Sequence, residues 1–70
     1  QLLETQLNYF EEALNEAMAA GCRKLVVIHG VGNGILKNKV CELANTKYSL
    51  RFTDAPHSLY GWGATELWLL

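Results

Sequence analysis

The sequence predicts one small α/β domain of the two-layer α+β type, spanning residues 1–70, with the element order helix–strand–helix–strand–strand. Three observations carry this prediction. Two segments place apolar residues at helical spacing, a continuous β-branched run lies between them, and two further strand-like segments follow. The chain has 70 residues, of which 50% are hydrophobic, enough for one compact core but not for two.

The first predicted helix covers roughly the first twenty residues. Its apolar positions lie three or four apart on one stripe: Leu3, Leu7, Phe10, Leu14, Ala17 and Met18. Gly21 is placed to end it as the residue just beyond the helix. The helical pattern extends to residue 1 without a capping residue or an initiator methionine, so we expect the domain to be cut from a longer protein and to lack a preceding strand.

The first predicted strand, residues 24–29, is continuously apolar and β-branched, which is typical of a strand covered on both faces. Three glycines in the next five positions indicate unusual dihedral angles or a close backbone approach. A second helix follows at about 34–46, with Asn33 as the expected N-cap. Alternating residues predict a strand over 48–53, a loop over 54–63 contains the only proline, and a last strand covers 64–70.

The glycine-rich turn is the first candidate site. A strand end followed by a helix start presents unpaired N–H groups to an anion, typically a phosphate. The candidate phosphate-binding residues are His29, Gly30, Val31, Gly32, Asn33 and Gly34. Lys37 and Lys39 would add positive charge. The spacing matches neither a P-loop nor a dinucleotide fingerprint, and the alternative is a tight turn without a ligand.

Two histidines need separate interpretation. His29 stands at the end of the strand, where an imidazole could act in catalysis or contact a phosphate. The alternative is a histidine held by hydrogen bonds to the turn. His57 lies in the loop beside proline, and we expect it to be exposed and without a role.

The second candidate site is a glycine-bracketed aromatic segment before the last strand: Tyr60, Gly61, Trp62 and Gly63. Its two aromatic rings could stack on nucleobases, or they could close the core of a small domain.

Charge and composition exclude several classes. Net charge is −1, but residues 1–22 carry four acids and no Lys or Arg, whereas residues 23–70 carry six bases and three acids. This asymmetry could steer an anion or simply reflect a solvated acidic helix face.

Cys22 and Cys41 support neither a disulfide framework nor a zinc site, and we expect two buried, reduced thiols. No apolar run is long enough to span a membrane, so we expect a cytoplasmic protein.

Two runs of sequence resemble motifs of the Smr (small MutS-related) domain. Residues 28–36 read IHGVGNGIL and residues 61–65 read GWGAT. They correspond to the HGxGxG motif (His29, Gly30, Gly32, Gly34) and to the closing GxGA[TV] motif (Gly61, Gly63, Ala64). The aromatic ending looks most like the C-terminal Smr domain of a Bacteroides-type family of unknown function. The resemblance covers essentially the whole chain and implies a βαβαββ fold with a mixed sheet, similar to the C-terminal domain of a translation initiation factor.

The resemblance also implies nucleic-acid binding and, in some members, metal-dependent nicking or endonuclease activity on DNA or RNA. The family's LDxH motif, whose Asp and His would activate water or hold a metal, has no counterpart here. We therefore expect no cofactor in this chain, and place a divalent metal and any nuclease activity in a longer parent protein. The near-neutral charge leaves open a protein-interaction module instead. An unpaired edge along residues 24–29 predicts self-association.

Overall fold

The computed structural model describes residues 2–30, 34–56, 58 and 63–70. Its elements are α1 (Leu2–Ala19), β1 (Lys24–Ile28), α2 (Ile35–Thr46), β2 (Arg51–Asp54) and β3 (Ala64–Trp68). The predicted order of two helices and three strands is confirmed. Among the described residues no strand precedes α1.

Helix α1 ends at the predicted glycine. Gly21 has φ +76°, and its N–H donates to the Met18 carbonyl at 3.1 Å. The next N–H, of Cys22, donates to the Ala17 carbonyl at 3.0 Å. This pair of reversed bonds is a Schellman motif, which requires the left-handed conformation that glycine adopts without strain.

The N-cap of helix α2 lies one residue later than predicted, at Gly34 instead of Asn33. Gly34 has φ 82° and no side-chain capping bond. The Gly34 carbonyl accepts the first helical bond from the Asn38 N–H at 2.9 Å. The prediction of Asn33 as N-cap is therefore wrong, because the left-handed glycine already orients the chain into the helix. Asn33 itself lies outside the described residues.

The three strands form one sheet in the order β1-β3-β2, and both pairings are antiparallel. In the register Ile28 lies opposite Ala64, and Asp54 lies opposite Thr65. The carboxyl ends of β1 and β2 therefore meet at one end of the sheet, where β3 begins. A mixed sheet would need a parallel strand that these residues do not include.

The core lies between the helices and one face of the sheet. Leu67, on the middle strand β3, is fully buried and packs against residues of both helices: Phe10, Leu14, Val40 and Ala44. Side chains alternate between faces along a strand, so Lys24, Val26 and Ile28 lie on the face opposite Leu25 and Val27. We call this the open face of the sheet, because neither helix packs on it.

The expectation that the first strand is covered on both faces is wrong. The apolar residues of β1 lie in two different environments. Leu25 and Val27 pack against the core cluster, whereas Ile28 is 73% exposed on the open face. Since both helices pack on one face of the sheet, apolar residues on the other face of β1 are not buried by them.

No helix in the described part of the chain is long and apolar enough to cross a membrane.

The second strand is shorter than predicted. Lys47 and Tyr48 both donate their N–H groups to the Leu43 carbonyl, at 3.0 and 3.3 Å, so they extend the last turn of α2. The Tyr48 hydroxyl and the Lys47 ammonium also donate to the same oxygen of Glu11, at 2.8 and 2.7 Å. These bonds tie the end of α2 to α1. They lower the pKa of Glu11, the bond from Lys47 most strongly.

Both cysteines are free thiols, as predicted, but they are not both buried. Cys22 is exposed because it follows the glycine that ends α1. Cys41 on α2 is half-buried, and this burial raises the pKa of its thiol.

Candidate functional site

The two glycine motifs meet at the end of the sheet where β1 and β2 finish. The Gly63 carbonyl accepts two hydrogen bonds, from the His29 N–H at 2.8 Å and from the Gly30 N–H at 3.0 Å. A Cβ placed on Gly63 would lie 2.7 Å from the Gly30 Cα. The approach of these two backbones therefore requires glycine at position 63.

This contact changes the predicted role of Gly30. Its N–H was expected to join those of residues 30–34 in holding a phosphate. That N–H instead donates to Gly63, so in this structure it is not available to an anion. The predicted phosphate site therefore has one backbone donor fewer, because the Gly30 N–H binds the two glycine motifs to each other.

The His29 side chain is bound through both ring nitrogens. Nδ1 lies 2.8 Å from the Gly30 carbonyl, and Nε2 lies 2.8 Å from the Thr65 hydroxyl. A carbonyl only accepts, so Nδ1 of the neutral ring carries the proton and Nε2 accepts from Thr65. This geometry favours a histidine that fixes the turn against β3. A phosphate contact through a ring nitrogen would require one of these bonds to break.

The start of α2 is the other part of the predicted phosphate site. A helix leaves its first-turn N–H groups without intrahelical partners, and Gly34 supplies no side-chain cap. Lys37, in this first turn, is 39% exposed and forms an ion pair of 3.0 Å with Asp54 at the end of β2. Lys39 lies 3.9 Å from Glu42 on the same helix. Both predicted lysines thus have acidic neighbours, and Lys37 is the one tied to the end of β2.

Two participants at this end were not predicted. Thr65 is buried and binds His29, and Asp54 pairs with Lys37. The sequence shows Thr65 as part of the closing motif, but only the register, which places Thr65 between Val27 and Asp54, brings it to the histidine.

Several predicted residues lie outside the described part of the chain: Val31, Gly32, Asn33, His57, Tyr60, Gly61 and Trp62. Their assignments stay predictions. Within residues 2–30, 34–56, 58 and 63–70 there is no group of three or more His, Cys, Asp or Glu side chains that could hold a metal ion. The described residues therefore do not fit a metal centre.

Comparisons with known proteins agree with the motif resemblance. A sequence model of the Smr domain matches residues 3–69. The chain is 38% identical over 64 residues to "Endonuclease MutS2" of Helicobacter pylori (strain ATCC 700392 / 26695), covering 90% of this chain and 8% of that protein. It is 35% identical over 68 residues to the protein of the same name from Aquifex aeolicus, covering 96% and 9% respectively.

A third relative, "Endonuclease MutS2" of Carboxydothermus hydrogenoformans, is 38% identical over 60 residues, covering 84% of this chain and 8% of the relative. The chain therefore spans less than a tenth of the length of these relatives. No solved structure matches it. The finer resemblance to a Bacteroides-type family stays a prediction.

Proposed function

The chain belongs to the Smr domain family, and we propose that it binds nucleic acid, DNA or RNA, at the end of the sheet where its two glycine motifs meet. The observation that carries the proposal is the start of α2: a helix N-terminus without a side-chain cap, with Lys37 in its first turn. Backbone N–H groups and a helix dipole both favour a bound phosphate.

The predicted contacts divide into two groups. The N–H groups at the start of α2 and the turn before it hold a phosphate, Lys37 and Lys39 add charge, and Tyr60 or Trp62 stacks on a base. His29 and Gly63 keep the turn in place through the bonds described above. A site with so few cations binds weakly, and its affinity falls as salt rises, because each neutralised phosphate releases counterions.

The test is fluorescence anisotropy of labelled single- and double-stranded DNA and RNA, titrated between about 50 and 200 mM salt. We expect binding that weakens with salt, and its loss in Gly32→Glu, which adds a carboxylate to the turn. His29→Ala should weaken binding less if the ring only positions the turn. Absence of binding to all four ligands, together with a stable protein partner, would instead select a protein-interaction module.

The ion pair between Lys37 and Asp54 provides a matched control. Lys37→Gln should weaken binding and reduce the salt slope by roughly one. Asp54→Asn breaks the same pair but frees the lysine and removes a competing anion, so it should strengthen binding. If both variants shift affinity in the same direction, the effect is structural and Lys37 does not contact the ligand.

A second candidate function is nicking of DNA or RNA by a longer protein that contains this domain. It is favoured by the relatives whose names call them endonucleases. The test is relaxation of supercoiled plasmid with Mg²⁺ or Mn²⁺, comparing this chain with a protein that carries an LDxH strand upstream. Activity in the longer protein only, and its loss in His29→Ala, would support the assignment; an inactive longer protein would refute it.

We also propose that this chain self-associates through β1. Within the described sheet β1 pairs on one side only, and beside it an apolar groove of about 310 Å³ runs between α1, β1 and α2. Antiparallel pairing with a second copy about Val26 would place Lys24 opposite Ile28, so no like charges would meet.

Sedimentation analysis of Val26→Lys tests the pairing, because it would set two lysines opposite each other across the dimer. Val26→Thr, which keeps a β-branched residue, is the control. A wild-type chain that sediments as a monomer at all concentrations would refute the proposal.

A further inference from the structure

The open face of the sheet carries an aromatic ring between two cations. On β3, Trp68 lies opposite Lys24 of β1 and opposite Arg51 of β2. Residues directly opposite each other in antiparallel strands share a face, with Cβ atoms about 4.5–5.5 Å apart. Because the adjacent Leu67 is buried against the helices, these three side chains lie on the open face. We call them the Trp68 row.

The two cations of the Trp68 row differ in what they already bind. Lys24 Nζ lies 3.1 Å from Glu66 Oε2 and 5.4 Å from the centroid of the Trp68 ring. It is therefore engaged with a carboxylate and with the ring, and it supports the ring from one side. Glu66, mostly buried, is in turn neutralised by Lys24.

Of the two cations in the Trp68 row, Arg51 is the one without a partner among the residues that the structure describes. It is exposed at the start of β2, and within the described part of the chain its guanidinium forms no hydrogen bond or ion pair. Trp68 beside it is half-buried and retains accessible surface. An aromatic face next to an unpaired guanidinium is the combination that proteins use to stack a base and hold its phosphate.

We propose that the Trp68 row is a second nucleic-acid contact, which stacks one base of a single strand on Trp68 and pairs the neighbouring phosphate with Arg51. The choice of ligand rests on the proposed function. A base inside a duplex has no free face to offer to an aromatic side chain, so the ligand is single-stranded. Lys24 and Glu66 compensate each other's charge, so Arg51 leaves the row with one net positive charge, which favours an anionic ligand.

The Trp68 row is separate from the glycine motifs. Lys24 begins β1 and His29 follows its end, so about five residue rises, roughly 16 Å, lie between them along the strand. The row is also on the open face, whereas His29 bonds to Thr65, which faces the helices. Variants of one surface therefore leave the other intact.

The experiment uses a labelled oligothymidylate, the same strand in duplex form, and the 70-residue chain. Trp68→Leu should weaken single-strand binding about tenfold and leave duplex binding unchanged, whereas Trp68→Phe, which keeps a ring, should retain most of the affinity. In Trp62→Phe, where Trp68 is the remaining tryptophan, its fluorescence should be quenched by the oligonucleotide. Circular dichroism confirms that each variant is folded.

Arg51→Gln tests the phosphate contact against Arg23→Gln, which removes the same charge at a position outside the row. We expect Arg51→Gln to weaken binding severalfold more than Arg23→Gln. Equal losses in the two arginine variants, together with equal affinities of Trp68→Leu and Trp68→Phe, would show a general charge effect and overturn the proposal.

The two nucleic-acid surfaces fail separately. Binding that is lost in Gly32→Glu but unchanged in Trp68→Leu and Arg51→Gln would overturn the Trp68 row and leave the glycine-turn site standing. Binding that is lost in the Trp68 and Arg51 variants but unchanged in Gly32→Glu would do the reverse. A wild-type chain that binds no nucleic acid at low salt would overturn both.

Discussion

Replacement of Gly63 by alanine probes the contact that holds the two motifs together. The added Cβ would lie 2.7 Å from the Gly30 Cα and 2.8 Å from its carbonyl carbon. Both are backbone atoms, so the clash cannot be relieved by rotating a side chain. The backbones must separate, which weakens the two bonds that the Gly63 carbonyl accepts from His29 and Gly30.

The expected loss of stability is about 2 kcal/mol, the middle of the range for forcing an extra carbon into a packed site. A 70-residue domain has a free energy of unfolding of roughly 4–10 kcal/mol, so this loss is a large share of the total. It corresponds to a decrease in Tm of roughly 8–16 °C. Urea and thermal unfolding followed by circular dichroism measure both quantities.

Two other glycines separate crowding from backbone conformation. Gly21 and Gly30 have φ near +75°, but a Cβ on either would meet nothing within 4 Å. Alanine at these positions therefore costs only the left-handed conformation, about 1 kcal/mol. If Gly63→Ala destabilises the chain by less than either control, the close approach of the two motifs is not present in solution.

Three further changes have defined outcomes. Thr65→Val should cost about 1 kcal/mol and should broaden the nitrogen resonances of His29 in NMR, since Nε2 loses its donor; an unchanged spectrum would exclude that bond. Glu11 has a pKa below its usual 4.5, mainly because of the hydrogen bond from Lys47. The stabilisation from this bond is present above pH 4.5 and is lost as the pH falls through the lowered pKa. Glu11→Gln should therefore reduce the change in the urea midpoint between about pH 7 and pH 3, and a pH dependence equal to that of the wild type would contradict the assignment. The exposed Cys22 should react with a thiol reagent faster than the half-buried Cys41, because burial raises the pKa of the Cys41 thiol. A single fast phase for both thiols would refute this.

Local patterns in the sequence were sufficient for the elements. Helical spacing predicted α1 and α2, and Gly21 ended α1 as expected because a left-handed residue after a helix is a local requirement. The boundaries moved where a local pattern had two interpretations. Tyr48 fits an alternating strand, yet it donates to Leu43 and belongs to the last turn of α2.

The candidate site was predicted by residue type but not by contact. The sequence marked His29 and the glycines, and the motif resemblance placed them in a family that the comparisons confirm. The sequence could not show that the Gly30 N–H donates to the Gly63 carbonyl. Hydrogen bonds between residues more than thirty positions apart depend on strand register, which single-residue patterns do not encode.

The sequence alone determined which segments become helices and strands, where a glycine is required at a helix end, and which family the motifs indicate. These properties follow from neighbours along the chain. Only the tertiary structure decided that Thr65 holds the His29 ring and that Trp68 lies between Lys24 and Arg51. The physical reason is that β3 pairs with both other strands, so its register sets which distant side chains share a face.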